Sequence, residues 1–153
     1  IGDAEALYAA VADAFDGAQV AVQISDDGRF EVTMQQPGML RPLRTAELSD
    51  GTLRFLMWAV ALLTPRPPPL MVLNEPETSL HPDLLPALGA LIARASRETQ
   101  LIVVSHATRL VAAIEDAAPA DVCQRIELEK SLGETVAQCH GACDAPQWHW
   151  PER

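Results

Sequence analysis

The feature that most constrains the fold is a pair of short apolar runs in the middle of the chain. Leu70–Leu73 and Leu101–Val104 are unbroken runs of apolar residues, and helix-type patterns lie before, between and after them. Such runs are typical of parallel strands that are covered on both faces. The alternation predicts an α/β layer with right-handed crossovers. Ligands in such sheets bind beyond the carboxyl ends of the strands, where Asn74–Glu75 and Ser105–His106 follow here.

Three helices are predicted around these strands. Ser49 is a suitable N-cap for a helix that runs to about Leu63 and is apolar nearly all round. We therefore expect this helix to be well buried, with Phe55 and Trp58 inside. Pro82 and Asp83 are typical of a helix start. The second and third helices are predicted over residues 82–97 and 108–116.

The flanking segments show weaker local patterns. Gly17 is expected to end a first helix, and alternating apolar residues predict two antiparallel hairpins. The predicted elements are a helix over 3–16, strands over 19–25 and 29–35 joined by a turn at 26–28, a loop over 37–47, and strands over 122–129 and 134–139.

Composition narrows the class of protein. The 153 residues carry a formal net charge of −10, which argues against a nucleic-acid surface formed by this chain alone. No apolar stretch is long enough to span a membrane, and the N-terminus lacks the pattern of a secretion signal. Three Cys cannot all pair internally, so we expect a reducing, cytoplasmic compartment.

Four motifs in one order carry a family resemblance. The segments are Leu48-Ser49-Asp50-Gly51-Thr52, then Leu70-Met71-Val72-Leu73-Asn74-Glu75-Pro76, then Glu77-Thr78-Ser79-Leu80-His81-Pro82, and finally Ser105-His106. They resemble the signature, Walker B strand, D-loop and switch histidine of ATP-binding-cassette ATPases, in the soluble RecF-like and SMC-like branch. The resemblance implies the C-terminal lobe of a P-loop NTPase head, with a short parallel sheet flanked by helices and peripheral hairpins.

The resemblance also implies roles for individual residues. Glu75 and His106 are the expected catalytic residues, and Asn74 lies where the Walker B acid holds Mg²⁺ through its water shell. The signature residues Leu48, Ser49, Asp50, Gly51 and Thr52 are expected to contact the nucleotide of a partner subunit. Glu77, Ser79 and His81 belong to the D-loop at the subunit junction. For Glu77, an ordinary helix-start charge is an equally good interpretation.

Two departures from the family pattern affect these expectations. Asn74 offers a neutral carbonyl oxygen where an Asp would add charge, which should weaken metal binding. The sequence contains no G-x-x-x-x-G-K-[ST] motif, and its one Lys, Lys130, follows Glu129. Since the chain also begins at Ile1 rather than Met, we expect it to be the C-terminal half of a head whose N-terminal Walker A lobe lies elsewhere in the same protein. Alone, it should bind ATP weakly and be inactive.

The resulting expectation is a single partial domain in three segments. Residues 1–46 form the lead-in helix and hairpin, 47–116 the motif-bearing unit, and 117–153 the closing hairpin and tail. The full-length protein is expected to hydrolyse ATP with Mg²⁺ as a head-to-head homodimer formed through the signature face, with DNA or an effector protein as a possible further partner. The alternative, favoured by Asn74, is a nucleotide-gated dimerisation module, or a nucleic-acid or protein adaptor, with degenerate hydrolysis.

Three other groups of residues are weaker candidates. Cys139, His140 and Cys143 could hold a metal, but their spacing is not a standard zinc pattern, and structural or surface thiols are the favoured interpretation. Trp148 and Trp150 in the tail could stack on bases, but covering the sheet edge or an interface is the favoured interpretation. The basic pair at positions 41 and 44 could meet phosphate or a partner, or form a solvated loop.

Overall fold

Two parallel strands with a helical crossover form the centre of the fold. In the computed structural model, β4 (Leu70–Asn74) pairs with β5 (Gln100–Val104) in register, with Leu73 opposite Val103. The chain passes between the strands through a short 3₁₀ turn (Pro82–Leu84) and α3 (Leu85–Ala95). The predicted helix–strand alternation is confirmed.

The structure describes residues 4–24, 28–119, 121–131 and 133–140. Contacts divide the chain into two units, with the boundary between Ala118 and Pro119. The remaining elements of the first unit are α1 (Ala4–Ala14), β1 (Gln19–Ile24), β2 (Phe30–Gln35), β3 (Leu43–Arg44), a 3₁₀ turn (Thr45–Glu47), α2 (Asp50–Leu62) and α4 (Thr108–Ala117). Over the described residues, the helices are too short or too polar to cross a membrane.

The main core lies between one face of the parallel strands and the helices. Phe55 of α2, Leu73 of β4, Leu88 of α3 and Leu110 of α4 are all fully buried there. Phe15, just after α1, meets the Phe55 ring edge-to-face with 5.4 Å between centroids. Burial of these side chains from three helices and a strand is the main stabilising contribution to the unit.

Helices α3 and α4 approach each other closely at Gly89. A Cβ atom at this position would lie 2.6 Å from the Cβ of Ala113 and 2.9 Å from its carbonyl carbon. Ordinary carbon–carbon contacts are about 3.5–4.0 Å. A glycine in the middle of α3 therefore permits the close helix contact that fixes the position of α4.

The opposite face of the parallel sheet is exposed. The alternating residues Leu70, Val72, Ile102 and Val104 lie on this face, and Val72 is 61% exposed. The expectation that these strands are covered on both faces is wrong for the described chain, because α2, α3 and α4 contribute their core residues to one side only. We call these four residues the bare sheet face.

Helix α2 is also less buried than its composition suggested. Phe55 is fully buried as expected, but Met57 is 70% exposed, Val60 is exposed and Trp58 is only half-buried. A helix that is apolar all round buries only the stripe that meets its neighbours, here α1, α3 and the parallel strands.

The first hairpin is confirmed and is larger than predicted. β1 and β2 pair antiparallel, with Val22 opposite Val32, and the predicted turn at 26–28 lies partly outside the described residues. β3 adds a third strand and the 3₁₀ turn follows it, within the segment predicted as a loop. The hydroxyl of Thr45 donates to the carbonyl of Val32 at 2.7 Å, which ties this turn to the sheet.

The second unit contains the predicted closing hairpin. β6 (Arg125–Ser131) and β7 (Glu134–His140) pair antiparallel, with Leu128 opposite Ala137. The interpretations that concern Cys143, Trp148 and Trp150 lie outside the described residues, as do those that concern the side chains of Cys139 and His140.

Candidate functional site

Glu75 and His106 come together at the carboxyl ends of the two parallel strands. The imidazole Nε2 of His106 lies 3.6 Å from Oε1 of Glu75. Both side chains face solvent, His106 at 84% and Glu75 at 48% exposure, so the pair forms an open surface site. The backbone N–H of Glu75 donates to the Val104 carbonyl at 2.8 Å, which extends the pairing of the strands to the site.

The backbone around Glu75 adopts an uncommon conformation. Glu75 has φ +47° and Ser79 has φ +65°, and each lies in the left-handed region that non-glycine residues seldom occupy. Two turns hold the segment: Thr78 N–H donates to the Glu75 carbonyl, and Leu80 N–H to the Glu77 carbonyl, each at 3.0 Å. Such conformations cost about 1–3 kcal/mol each and cluster at functional sites.

Asn74 is the last residue of β4 and is exposed beside Glu75. Its amide oxygen and the Glu75 carboxylate are oxygen donors, which is the ligand chemistry that Mg²⁺ prefers. These two side chains offer oxygen ligands and one negative charge, and within the described residues no group of three or more His, Cys, Asp or Glu side chains is placed to hold a metal ion.

The predicted signature segment, residues 48–52, lies at the exposed N-terminus of α2, and we call it the signature turn. Ser49 is the N-cap, as predicted, and its Oγ accepts from the Thr52 N–H at 3.1 Å. The two hydroxyl groups of Ser49 and Thr52 are 2.9 Å apart. Leu48 packs against the smaller core cluster of Val11, Ala18, Met34 and Leu56. The free N–H groups of such a turn can bind an anion.

Gly51 brings the signature turn against the predicted D-loop segment of its own chain, residues 77–82, which we call the D-loop. A Cβ at Gly51 would lie 2.9 Å from the carbonyl oxygen of Ser79. The expected contact of Gly51 with a partner's nucleotide stays a prediction, and in this structure the close approach to Gly51 is made by the D-loop backbone. An open groove of about 910 Å³ runs between the two segments, and Asp50 and His81 line it.

His81 caps the 3₁₀ turn that leads into α3. Its Nδ1 accepts from the Asp83 N–H at 3.3 Å, and the Asp83 carboxylate also lies 3.3 Å from the Arg109 guanidinium on α4. The D-loop is thus held to the start of α3 by His81 and linked to α4 through Asp83.

Glu77 makes the densest set of hydrogen bonds at the site. Its Oε1 accepts from the Ser105 hydroxyl at 2.8 Å, the His106 N–H at 2.9 Å and the Ala107 N–H at 3.3 Å. Burial, the largest effect, acts to raise the pKa of Glu77. The hydrogen bonds from its own N–H and from Ser105, His106 and Ala107 outweigh burial and lower that pKa.

Glu77 lies at the start of a helix that is distant from it in the sequence. Glu77 lies beside the N-terminus of α4, whose N-cap is Ala107 and makes no side-chain capping bond. Ala is a poor N-cap. The absence of a capping residue at the start of α4 is the sequence signal that could have indicated a hydrogen-bond acceptor from elsewhere in the chain.

The basic pair before the signature is engaged by carboxylates. Arg41 forms two hydrogen bonds to Glu47, at 2.8 and 2.7 Å, and Arg44 forms two to Glu31, at 2.9 and 3.1 Å. The hydrogen bond from Arg41, helped by the Arg44 N–H, lowers the pKa of Glu47 to about 2. These pairs brace the segment that leads into the signature turn.

Comparison with protein families places these features in a known group. Residues 2–112 match the family described as "AAA domain, putative AbiEii toxin, Type IV TA system". The matched range covers well over half of the chain and includes the signature turn and the Glu75–His106 pair. No curated protein sequence matches the chain.

Solved structures with a similar fold include heads of SMC proteins. One comes from work on ATP-driven dimerization and DNA-stimulated activation of SMC ATPases; it has a TM-score of 0.66 and 17% identity, over 90% of this chain and 82% of the other. A Pyrococcus furiosus Smc head with an extended coiled coil, bound to the C-terminal domain of ScpA, gives 0.64 and 17%, over 89% and 34%. The Thermotoga maritima SMC head gives 0.61 and 20%, over 90% and 46%.

The chain thus spans less than half the length of the last two structures, and identities this low show the fold alone. The predicted fold class is confirmed. The family match shows in addition that the chain is a member of this family, because the match extends over most of the described first unit. The chain belongs to this family of AAA domains, an ATPase-type P-loop NTPase family, and it has the α/β fold of an SMC ATPase head.

Proposed function

We propose that this chain is the signature-bearing half of an ATPase head that hydrolyses ATP as a head-to-head dimer. The observation that carries the proposal is the pairing of Glu75 with His106 at the ends of two parallel strands. A carboxylate and an imidazole 3.6 Å apart on an open face can act together on a phosphate and an attacking water.

Each residue of the pair has a distinct role in this proposal. Glu75 orients the attacking water and accepts its proton, because its carboxylate is exposed and held at a strand end. His106 donates a hydrogen bond to the γ-phosphate through the imidazole that faces Glu75. Asn74 contributes an oxygen to the water shell of Mg²⁺, which neutralises phosphate charge when bound with ATP.

The signature turn serves the nucleotide of the other protomer. Within the described residues, the hydrogen bonds of the Ser49 hydroxyl stay inside its own helix turn, with Thr52. The turn is exposed, so its N–H groups and Ser49 can meet a phosphate presented from outside, with Leu48, Asp50 and Gly51 shaping the surface. The D-loop residues Ser79 and His81 line the same groove and belong to the same interface. A two-fold dimer then contains two equivalent sites.

A Walker A lobe from elsewhere in the same protein completes each site. The sequence has no motif that could form a P-loop. Parallel sheets are stable with both faces covered, and the bare sheet face provides a surface for such a lobe. By itself the chain should bind ATP weakly, since most phosphate contacts in this fold come from the P-loop. The three-segment organisation, a cytoplasmic location and a DNA or effector partner also stay predictions.

Substitutions at the two surfaces test the proposal in the full-length protein. Glu75→Gln should abolish ATP hydrolysis and preserve ATP-bound dimers, measured by phosphate release and by light scattering. Ser49→Arg should prevent dimerisation and leave ATP binding by each protomer nearly unchanged. Glu98→Gln, at an exposed carboxylate before β5, is the matched control. Unchanged turnover in Glu75→Gln would refute the catalytic assignment.

A nucleotide-gated dimerisation module is the second candidate, and Asn74 is the observation that favours it. With one carboxylate at the strand end rather than two, Mg²⁺ binding has less charge support from this chain. ATP-dependent dimers without phosphate release in the unmodified protein would select this function.

A further inference from the structure

The start of α4 depends on a residue from another loop. The helix begins at Thr108, directly after the His106 loop, and its N-cap Ala107 has no side-chain acceptor. The N–H groups that precede a helix need partners, and an uncapped start frays. Here the partner is the Glu77 carboxylate, which approaches the positive end of the α4 dipole.

The contacts join two loops that are distant in sequence. Glu77 Oε1 accepts from Ser105 Oγ, His106 N and Ala107 N, residues 28 to 30 positions away. Ser105 Oγ in turn accepts from the Ala107 N–H at 3.1 Å. Hydrogen bonds to an ionised acceptor are about twice as strong as neutral ones. A single carboxylate oxygen therefore holds the side chain of Ser105 and the backbone of the two residues that follow it.

The contact between the His106 imidazole and Glu75 is too long to hold the ring in place. The imidazole is 84% exposed, and its approach to Glu75 at 3.6 Å is longer than a hydrogen bond. The position of the ring thus follows from the backbone, which Glu77 holds on one side, while Glu75 is held through its own N–H to Val104.

We propose that Glu77 is a positioning residue that clamps the Ser105–Ala107 loop and so sets His106 opposite Glu75. The same D-loop abuts Gly51 through the Ser79 carbonyl, so the clamp also joins the signature turn to the His106 loop through one continuous segment. The catalytic consequence of the clamp rests on the proposed ATPase function, but the clamp itself does not.

Amide hydrogen exchange, measured by NMR on the chain, tests the clamp without nucleotide. Glu77→Ala should accelerate exchange at the His106 and Ala107 amides by about tenfold or more, the range expected for losing a bond to a charged acceptor. Amides of the β4–β5 core should keep their rates. Glu98→Ala, at an exposed carboxylate, is the control and should change neither set.

Glu77→Gln keeps the experiment decisive if the alanine variant unfolds. The amide oxygen of Gln can still accept all three bonds, but as a neutral acceptor, so exchange should be intermediate. The other oxygen, Oε2, is buried and has no hydrogen-bond partner among the described residues, so replacing it breaks no contact. Exchange at His106 and Ala107 equal to that of the unmodified chain in both variants would overturn the proposal.

Kinetics of the full-length protein test the catalytic consequence separately. Glu77→Ala should lower kcat about tenfold or more and change the ATP affinity by less than about threefold, since the P-loop dominates phosphate binding. Glu77→Gln should recover part of kcat. A loss of affinity with kcat unchanged would refute the positioning role. Absence of turnover in the unmodified protein would refute the ATPase function and leave the exchange result to decide the clamp.

Discussion

For the replacement of Gly89 by Ala, helix propensity and packing predict opposite changes in the free energy of unfolding. Ala is preferred to Gly in a helix interior by about 0.8–1.0 kcal/mol, so propensity alone predicts a more stable protein. The structure predicts a less stable one, because the new Cβ would lie 2.6 Å from Ala113 Cβ and 2.9 Å from its carbonyl carbon.

The clash cannot be relieved by rotating a side chain. Both contacts at Ala113 are with atoms fixed to the α4 backbone, so the helices must move apart by about 1 Å to reach ordinary contact. Overpacking of this kind costs about 1–3 kcal/mol. After the gain in propensity, the free energy of unfolding should fall by up to about 2 kcal/mol, which lowers Tm by up to roughly 8 °C.

Thermal unfolding followed by circular dichroism measures this effect. Ala90→Gly on the exposed side of the same helix is the matched control, and it should be destabilising by propensity alone, about 1 kcal/mol. Ala113→Gly should be less destabilising in the Gly89→Ala background than in the unmodified chain, because there it also removes the nearest clashing atom. A rise in Tm for Gly89→Ala, or additive effects in the double variant, would refute the packing argument.

Two further substitutions and one titration test other parts of the structure. Phe55→Ala should lower the free energy of unfolding by about 3–5 kcal/mol, whereas Met57→Ala, at a 70% exposed position, should change it by less than about 0.5 kcal/mol in urea titration. Equal effects would show that α2 has a different buried face. The Glu47 carboxyl should titrate by NMR with a midpoint of about 2, and Arg41→Gln should move that midpoint upward. Since the folded pKa is lowered from 4.5, the stabilisation from this pair is present above that pH and is lost as the pH falls toward about 2.

The elements that were predicted correctly are those whose signals are local. Ser49 caps α2 through a bond to Thr52 three residues on, and the runs in β4 and β5 are continuous in sequence. β3 was missed because it is two residues long and is held by contacts with β2, such as Arg44 with Glu31. Local sequence patterns do not reveal partners of this kind, which lie far away along the chain.

The residues of the candidate site also differ in whether the sequence could reveal their positions. Glu75 and His106 were predicted together because parallel strands end at a common edge. The function of Glu77 could not be predicted, because its three hydrogen bonds reach residues 28 to 30 positions away. In the sequence alone, Glu77 looks like an ordinary acidic residue at a helix start. The bare sheet face was also missed, since an apolar strand sequence does not reveal whether both faces find partners.

The two-stranded parallel sheet has a consequence for how the chain behaves in solution. Within the described residues, β4 and β5 pair only with each other, so each presents one long edge of backbone N–H and C=O groups beside an apolar face. Edges of this kind are templates for strand addition between molecules. Self-association by this route makes the midpoint of denaturation depend on protein concentration. Stability measurements on the chain therefore need a concentration series before a change in Tm is assigned to a substitution.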